Sequence, residues 1–163
     1  MKKLFRIFLI ITLVLTVSTN YLNAQENIKS GYYYLAETSD NAILIKDIDS
    51  DKVFGIEKIV ALGVIDFKKI KINSINAFPK PIETIQVTLT NTGFKKWNAI
   101  QKRCTKSGES VVLVCENKIY GQYFFNIANA RRYRSKINLC IPKEKINHIF
   151  SIINTEMIAY NEQ

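Results

Sequence analysis

Nucleophilic and metal-binding side chains are few in this chain. It contains three cysteines, Cys104, Cys115 and Cys140, and one histidine, His148. A cysteine nucleophile needs a base within hydrogen-bonding distance, and His148 is the only histidine that could serve. His148 lies about 200° around the helical wheel from the apolar residue Ile146, so we expect it to face solvent. No Gly-x-Ser-x-Gly motif, His-Glu-x-x-His motif or CxxC pair occurs, so we predict no catalytic residue, no metal site and no cofactor.

The cysteines could instead form a disulfide, although an odd number cannot pair completely. Cys104 ends a predicted helix, and Cys115 lies roughly 16 Å along the following strand at about 3.3 Å per residue. That separation exceeds the distance of about 7 Å between Cα atoms that a disulfide allows. Cys115 with Cys140 is the more plausible pair. The alternative, which the sequence favours, is three small buried side chains.

Three alternating aspartates, Asp47, Asp49 and Asp51, resemble the start of a calcium-binding loop. Such a loop requires a glycine at its sixth position and a glutamate at its twelfth. Lys52 and Lys58 stand at those two positions. The sequence therefore favours a solvated acidic turn over a calcium site.

The densest concentration of positive charge is a six-residue stretch in which Arg131, Arg132, Arg134 and Lys136 surround Tyr133. Guanidinium groups form paired hydrogen bonds with carboxylates and phosphates, and they stack on aromatic rings. This basic loop is a candidate site for an acidic protein or for an anionic lipid or glycan surface. The alternative is a solvated loop that aids solubility.

Three consecutive tyrosines, Tyr32, Tyr33 and Tyr34, form a second candidate site for partner binding. Successive residues of a strand point to opposite faces, so at least one of these rings faces solvent unless both faces are covered. An exposed aromatic edge strand accepts an extended peptide by strand addition. The alternative is a strand that is packed on both faces.

Residues 1–24 have the pattern of a secretory signal peptide, with the cations Lys2, Lys3 and Arg6 at the start and a mostly apolar run over residues 4–17. The run is shorter than the roughly 20 residues of a spanning helix. We therefore expect cleavage between Ala24 and Gln25, with no transmembrane segment afterwards. Cleavage would remove three cations and no acid, so the net charge of +9 would fall to +6. The expected location is secreted or periplasmic, where disulfides can persist.

Composition limits the remaining possibilities. The chain has 163 residues, of which 47% are hydrophobic, so it suits one domain with a buried core and not a disordered chain. Its positive charge would suit nucleic acid electrostatically. Because we expect export from the cytoplasm, we predict no nucleic-acid partner.

Short apolar segments indicate strands in the first half of the chain. Residues 31–35 and 42–46 are strand-like and flank a polar turn, which predicts a β-hairpin. Residues 65–69 suit a helical turn, and residues 70–75 alternate as a half-buried strand does. A break that contains two prolines, at 78–81, separates this half from a more regular one.

The second half combines strands with two amphipathic helices. Strands are predicted at 85–90, 111–115, 119–127 and 136–141, and the first helix opens near residue 91. The apolar residues that share a helix face are Phe94, Trp97, Ile100 and Cys104 in the first helix, and Ile146, Ile149, Phe150, Ile153 and Met157 in the second. A mostly antiparallel sheet with two packed amphipathic helices predicts an α+β fold of two layers.

The order of these elements, together with the glycines and polar turns between them, also supports a resemblance to a known family. The residues that carry it are Val87-Thr88-Leu89-Thr90, Gly93, Trp97, Thr105, Gly108, Val111 to Val114, Asn117-Lys118 and 137–153. They resemble the head subdomain of the first periplasmic domain of SecD/SecDF, the protein-export factor, most clearly over 83–154. The resemblance implies this fold and contact with polypeptide. It does not imply export activity, because the transmembrane export domain of that family has no counterpart in this sequence.

The expected organisation is a signal peptide (1–24), a short tail (25–30), a single α+β domain (31–157) and a C-terminal tail (158–163). Within the domain, 81–157 is the part similar to the export-factor head. We predict a non-catalytic binding domain that contacts protein or unfolded polypeptide in the cell envelope. The alternatives are a binder of anionic envelope surfaces through the basic loop, and a small envelope enzyme.

Overall fold

The computed structural model describes residues 28–36, 42–76, 79–125, 135–139 and 141–162. These residues form an α+β fold, as the sequence predicts. The strands are β1 (Gly31–Ala36), β2 (Ile43–Asp47), β3 (Val53–Ile56), β4 (Leu62–Gly63), β5 (Phe67–Ile75), β6 (Ile82–Leu89), β7 (Ser110–Cys115), β8 (Lys118–Phe124) and β9 (Lys136–Leu139). The helices are α1 (Asn91–Ser107), between β6 and β7, and α2 (Ile146–Asn161), after β9.

Five of the strands close on themselves into a small barrel. The first sheet has the order β3-β2-β8-β7-β1-β4, and β3 also pairs with β1. Every pairing in it is antiparallel except that of β2 with β8. The buried residues inside this barrel come from all five strands and form one cluster: Tyr33, Ile45, Ile56, Val112, Val114 and Ile119.

The second sheet is a three-stranded antiparallel sheet in the order β5-β6-β9. One of its faces packs into the main core, together with both helices and the outer face of β1 and β7. This core confirms the predicted helix faces, because Trp97, Ile100 and Cys104 of α1 and Ile149 and Ile153 of α2 are all buried in it.

Local sequence signals fix the ends of α1 and the turn between β7 and β8. The Thr90 hydroxyl caps α1 by accepting a hydrogen bond from the Gly93 amide at 3.0 Å. Gly108, with φ 75°, ends the helix in the left-handed conformation. Glu116 and Asn117 have φ values of 46° and 58° and form a two-residue hairpin turn, which suits the twist of the flanking strands.

Two expectations about chain organisation are wrong. The segments 31–35 and 42–46 do not form a hairpin, because β1 and β2 each pair with β3 and not with each other. A turn signal between two strands shows that the chain changes direction there. It does not show that these two strands pair with each other. The expected C-terminal tail, 158–163, is also wrong in part, since α2 continues to Asn161.

A buried carboxylate joins the start of β5 to the start of α1. Asp66 is 3% exposed, and its Oδ2 accepts hydrogen bonds from the Gly63 amide at 3.1 Å and from Lys96 Nζ at 2.9 Å. The Asp66 carbonyl oxygen accepts the Thr90 amide at 2.9 Å. Gly93 lies directly against this carbonyl, with no room for a Cβ atom. The contact fixes where α1 begins relative to both sheets.

Arg103 connects α1 to two other parts of the chain. Its guanidinium donates to Glu109 Oε2 at 2.6 Å and to Glu57 Oε1 at 2.8 Å, and it stacks 3.8 Å from the centre of the Tyr34 ring. The ion pairs are partly exposed, so each contributes modestly to stability.

Replacing Arg103 with methionine is expected to lower the free energy of unfolding by about 1 kcal/mol, because two exposed ion pairs and one cation–π contact are lost. Urea denaturation followed by circular dichroism measures this change. Lys102→Met is the matched control, since Lys102 is an exposed neighbour on the same helix. Equal stability of the two variants would contradict a linking role for Arg103.

Candidate binding face

The basic loop predicted from the sequence lies mostly outside the described residues. Arg131, Arg132, Tyr133 and Arg134 fall there, so their part in binding stays a prediction. Lys136 is described, and it is an exposed residue at the start of β9. Its position on β9 therefore locates the candidate binding face in the structure.

The three tyrosines do not form a surface site. Tyr32, Tyr33 and Tyr34 are 0%, 3% and 8% exposed. The expectation of an exposed aromatic edge is wrong, because β1 lies inside the sheet between β7 on one side and β3 and β4 on the other. Tyr33 fills the barrel, and Tyr32 stacks against Trp97 at 5.3 Å in the main core. The alternative, a strand packed on both faces, is confirmed.

The three-stranded sheet has one face in the core and one that points away from it, which we call the open face. Residues in register across neighbouring strands place their side chains on the same face. Lys69, Thr88 and Lys136 form one such row, and Lys71, Gln86 and Asn138 form the next. The open face consists of Lys69, Lys71, Asn73, Ile75, Ile82, Gln86, Thr88, Lys136 and Asn138, while Thr84, which is in register with Asn73, is buried.

Positive charge on the open face is not balanced. Lys69, Lys71 and Lys136 are exposed, and none of them forms an ion pair with any residue that the structure describes. Other lysines do have partners, as Lys46 does in Asp51 and Lys96 in Asp66. Among the described residues, the rows of the open face hold no acidic side chain. Lys69 and Lys136 are separated by two strand spacings, or roughly 9.5 Å.

Polar and apolar groups accompany these cations. Gln86 Nε2 donates to Asn138 Oδ1 at 3.4 Å, and the Thr84 hydroxyl donates to the Leu139 carbonyl oxygen at 2.5 Å. Ile75 and Ile82 are partners in the ladder at the far end of the face, and they are 36% and 58% exposed. The face thus changes from cationic to apolar along its length.

One edge of this sheet is formed by β5, and the other by the shorter strand β9. The strand β5 is nine residues long and, among the strands of the described residues, pairs with β6 alone. Alternate residues of an antiparallel edge strand direct their amide and carbonyl groups outward, where another strand can pair with them. Lys69 and Lys71 therefore lie beside a row of available backbone groups.

The two cysteines that the structure describes are not suited to nucleophilic chemistry. Cys104 and Cys115 are free buried thiols, which confirms the preferred interpretation of these two, while Cys140 lies outside the described residues. Burial raises the pKa of the Cys115 thiol to about 12 and that of the Cys104 thiol to about 11. The thiolate, which is the reactive form, is therefore scarce at neutral pH.

His148 faces solvent, as predicted, and its Nε2 lies 3.0 Å from Glu116 Oε2. Glu116 also lines a cleft of about 420 Å³ with Glu156 and Tyr160. Glu156 accepts a hydrogen bond from the Ser30 hydroxyl at 2.5 Å, and this bond anchors the segment before β1 to α2. We interpret these contacts as structural ties between the hairpin turn, the N-terminal segment and α2.

The acidic loop also has internal partners. Asp51 pairs with Lys46 at 2.5 Å, and Asp47 accepts a hydrogen bond from the Ser50 hydroxyl at 2.6 Å. No group of metal-ligating side chains with suitable spacing occurs among the described residues.

Sequence reasoning missed the open face, although its signal was present. The alternation of Lys71 and Asn73 with isoleucines, and of Gln86 and Thr88 with Val87, indicated two strands with one wet face each. The positions that stand side by side depend on the strand order β5-β6-β9. The alternation of single strands does not contain that order.

Comparison of the chain with protein-family models, curated proteins and solved structures gives no match. The resemblance to the export-factor head therefore stays a prediction. Within the part of the chain that the structure describes, neither helix is long and apolar enough to cross a membrane.

Proposed function

We propose that the protein is an exported, non-catalytic binding domain whose open face binds an acidic polypeptide. The observation that carries this proposal is the group of three exposed lysines, Lys69, Lys71 and Lys136, which no described acidic residue neutralises. Unpaired cations on one face attract an anionic partner and speed its approach. The signal-like residues 1–24 support export.

Two features favour a polypeptide over a lipid or glycan surface. The amide and hydroxyl side chains of Gln86, Thr88 and Asn138 can hydrogen-bond to peptide groups on the same face. The edge of β5 offers backbone groups that only another polypeptide strand matches in spacing. The resemblance to the export-factor head, which implies contact with polypeptide, agrees with this choice.

The proposal is tested by reversing the charge of the open face. In the triple variant Lys69→Glu, Lys71→Glu and Lys136→Glu, we expect the affinity for a fluorescein-labelled peptide of alternating glutamate and serine to fall at least tenfold. Loss of three favourable charge contacts, each of about 0.5–1 kcal/mol, accounts for this size. Fluorescence anisotropy at 50 and 200 mM salt measures the affinity, which is also expected to weaken with salt.

The matched control is the triple variant Lys95→Glu, Lys102→Glu and Lys106→Glu. These three lysines lie on the exposed face of α1, and the net charge changes by the same amount. We expect a loss of less than twofold in the control. Equal losses in both variants would mean that total charge, and not the open face, governs binding. Tight binding to vesicles with 30% phosphatidylglycerol, without binding to the peptide, would overturn the polypeptide proposal in favour of a membrane surface.

A further inference from the structure

We propose that the acidic polypeptide binds as an added strand, antiparallel to the outer edge of β5, and that this edge selects a defined side-chain pattern. The inference rests on the proposed function, and it specifies the position, direction and sequence class of the ligand. Its evidence is the course of β5 itself, from Phe67 to Ile75, together with the side chains that line each side of that strand.

The edge is long enough to hold a peptide by its backbone. The ladder between β5 and β6 runs without interruption from Lys69 to Ile75, so this part of β5 is a regular strand. It spans about 20 Å at about 3.4 Å per residue. A short irregularity between Phe67 and Lys69 marks the end of the regular region. The helix α2 packs against β5 through the core, where Ile149 and Ile153 are buried in the same cluster as Phe67 and Ile70.

The charges on β5 disfavour a second copy of the same edge as the occupant. If two β5 strands paired antiparallel, Lys69 and Lys71 of each copy would contribute cations to one continuous face. With residues 69–75 of the two copies paired along their whole length, Lys71 of one copy would be a diagonal neighbour of Lys71 of the other, about 7–8 Å away, and these like charges would repel each other. Lysines on an edge strand therefore protect it from self-association, while they leave it open to an acidic strand.

The order of side chains along β5 sets the pattern of the ligand. On the open face the edge presents Lys69, Lys71, Asn73 and Ile75 at intervals of about 6.8 Å. A directly opposite residue of an added strand has its Cβ about 5 Å away, close enough for each contact to matter. The matching residues are two acids, one polar residue and one apolar residue.

The other side of the edge adds one requirement. Ile72 points to the core side of the sheet but is 41% exposed, because the core does not extend past the edge at this position. An apolar ligand residue opposite Ile72 would cover it.

The direction of the ligand follows from the strands around it. Both sheets are built from antiparallel neighbours apart from one pair of strands, and antiparallel pairs are the more stable arrangement per residue. The ligand thus reads, from its N-terminus, apolar-x-polar-apolar-acidic-x-acidic.

The pattern is tested with seven-residue peptides in Gly-Ser flanks. Ile-Ser-Thr-Val-Glu-Thr-Glu has the expected order, and its reversed sequence has the same composition and charge. We expect the first peptide to bind at least fivefold more tightly in fluorescence anisotropy. Tighter binding of the reversed peptide would overturn the antiparallel direction, and equal binding would overturn the pattern.

Backbone pairing is tested separately by N-methylation of the first peptide. Methyl groups at residues 1, 3, 5 and 7 in one peptide, and at residues 2, 4 and 6 in another, leave every side chain unchanged. Since only alternate amides of an added strand face β5, one peptide should lose at least tenfold in affinity while the other stays within about twofold. Equal effects of the two methylation sets would overturn strand addition.

A substitution at Ile72 tests the apolar contact beside the edge. Ile72→Lys should weaken the binding of the first peptide at least threefold, because it removes the apolar contact beside the edge. Ile158→Lys, at a 49% exposed position on α2, is the matched control and should have no effect. If all acidic peptides bind equally and only the triple lysine variant weakens them, strand addition is wrong and the proposed function stands. If no acidic peptide binds, both are wrong.

Discussion

Replacing Gly93 with alanine is expected to lower the free energy of unfolding by about 3 kcal/mol, near the upper end of the usual cost of overpacking. In most helices this change would stabilise the protein, because alanine has the highest helix propensity and glycine one of the lowest. Here the added methyl group would overlap the carbonyl oxygen of Asp66 and lie 2.9 Å from its Cβ atom. The steric cost therefore exceeds the gain in propensity.

The surroundings of Gly93 cannot relax easily. The carbonyl oxygen of Asp66 accepts the amide of Thr90, and its side chain is fixed by Gly63 and Lys96. A shift large enough to admit a methyl group would disturb hydrogen bonds in a region where Asp66 is only 3% exposed. An unpaired buried polar group costs about 1–3 kcal/mol, so relaxation and overlap are similarly costly.

Urea denaturation of Gly93→Ala and of the control Gly108→Ala tests this prediction. Gly108 has φ 75° and no heavy atom within 4 Å of a built Cβ, so alanine there meets only the backbone cost of about 1–2 kcal/mol. Gly93→Ala should be the less stable variant, with an unchanged dependence of stability on urea concentration. A smaller loss at Gly93 than at Gly108 would show that α1 can move away from Asp66.

Those parts of the fold that depend on local periodicity could be predicted from the sequence. The spacing of Trp97, Ile100 and Cys104 predicted the buried face of α1, and these residues are 6%, 2% and 1% exposed. The uninterrupted apolar segment 111–115 predicted an interior strand, and every residue of it is buried. Both features follow from side-chain direction within one element, so neighbouring residues are sufficient to show them.

Those parts that depend on pairing between distant strands could not be predicted. The barrel closes where Leu35 and Ala36 of β1 pair with Ile56 and Gly55 of β3. Nothing in the sequence around these residues marks the two strands as partners. The open face likewise requires Lys69 and Lys136 to share one row across β6. The sequence separates these two lysines widely, and only the strand order brings their charges together. Of the three lysines in the candidate site, only Lys136 was predicted from the sequence.

The protein is expected to lose stability in alkaline solution, because several buried groups keep their protons in the folded state. Burial raises the pKa of Cys115 to about 12 and of Cys104 to about 11, and burial with the nearby Glu156 charge raises that of Tyr33 to about 12. In an unfolded chain, thiols titrate near pH 8.5 and phenols near pH 10. As the pH rises above these values, the unfolded chain loses protons that the folded chain retains.

The sign of the effect follows from this difference in bound protons. Stability is fully present below about pH 8.5 and decreases as the pH rises towards the folded-state values, by up to about 1.4 kcal/mol per pH unit for each group. The two cysteines together account for roughly 6 kcal/mol by pH 11, which is comparable to the whole stability of many domains. Urea denaturation at pH 7, 9, 10 and 11 measures the decrease, and iodoacetamide should modify Cys104 and Cys115 only after unfolding.

The variant Cys115→Ala separates this cause from general alkaline effects. It should be less stable than the wild type at pH 7, because it leaves a small cavity where a fully buried side chain was packed. Between pH 8.5 and 11, however, its stability should fall less steeply, because one of the groups that the folded state keeps protonated is gone. Lys118→Met, at the exposed position that pairs with Cys115 across the hairpin, should retain the wild-type slope. A wild-type slope in Cys115→Ala as well would mean that the buried thiol is not the group that limits alkaline stability.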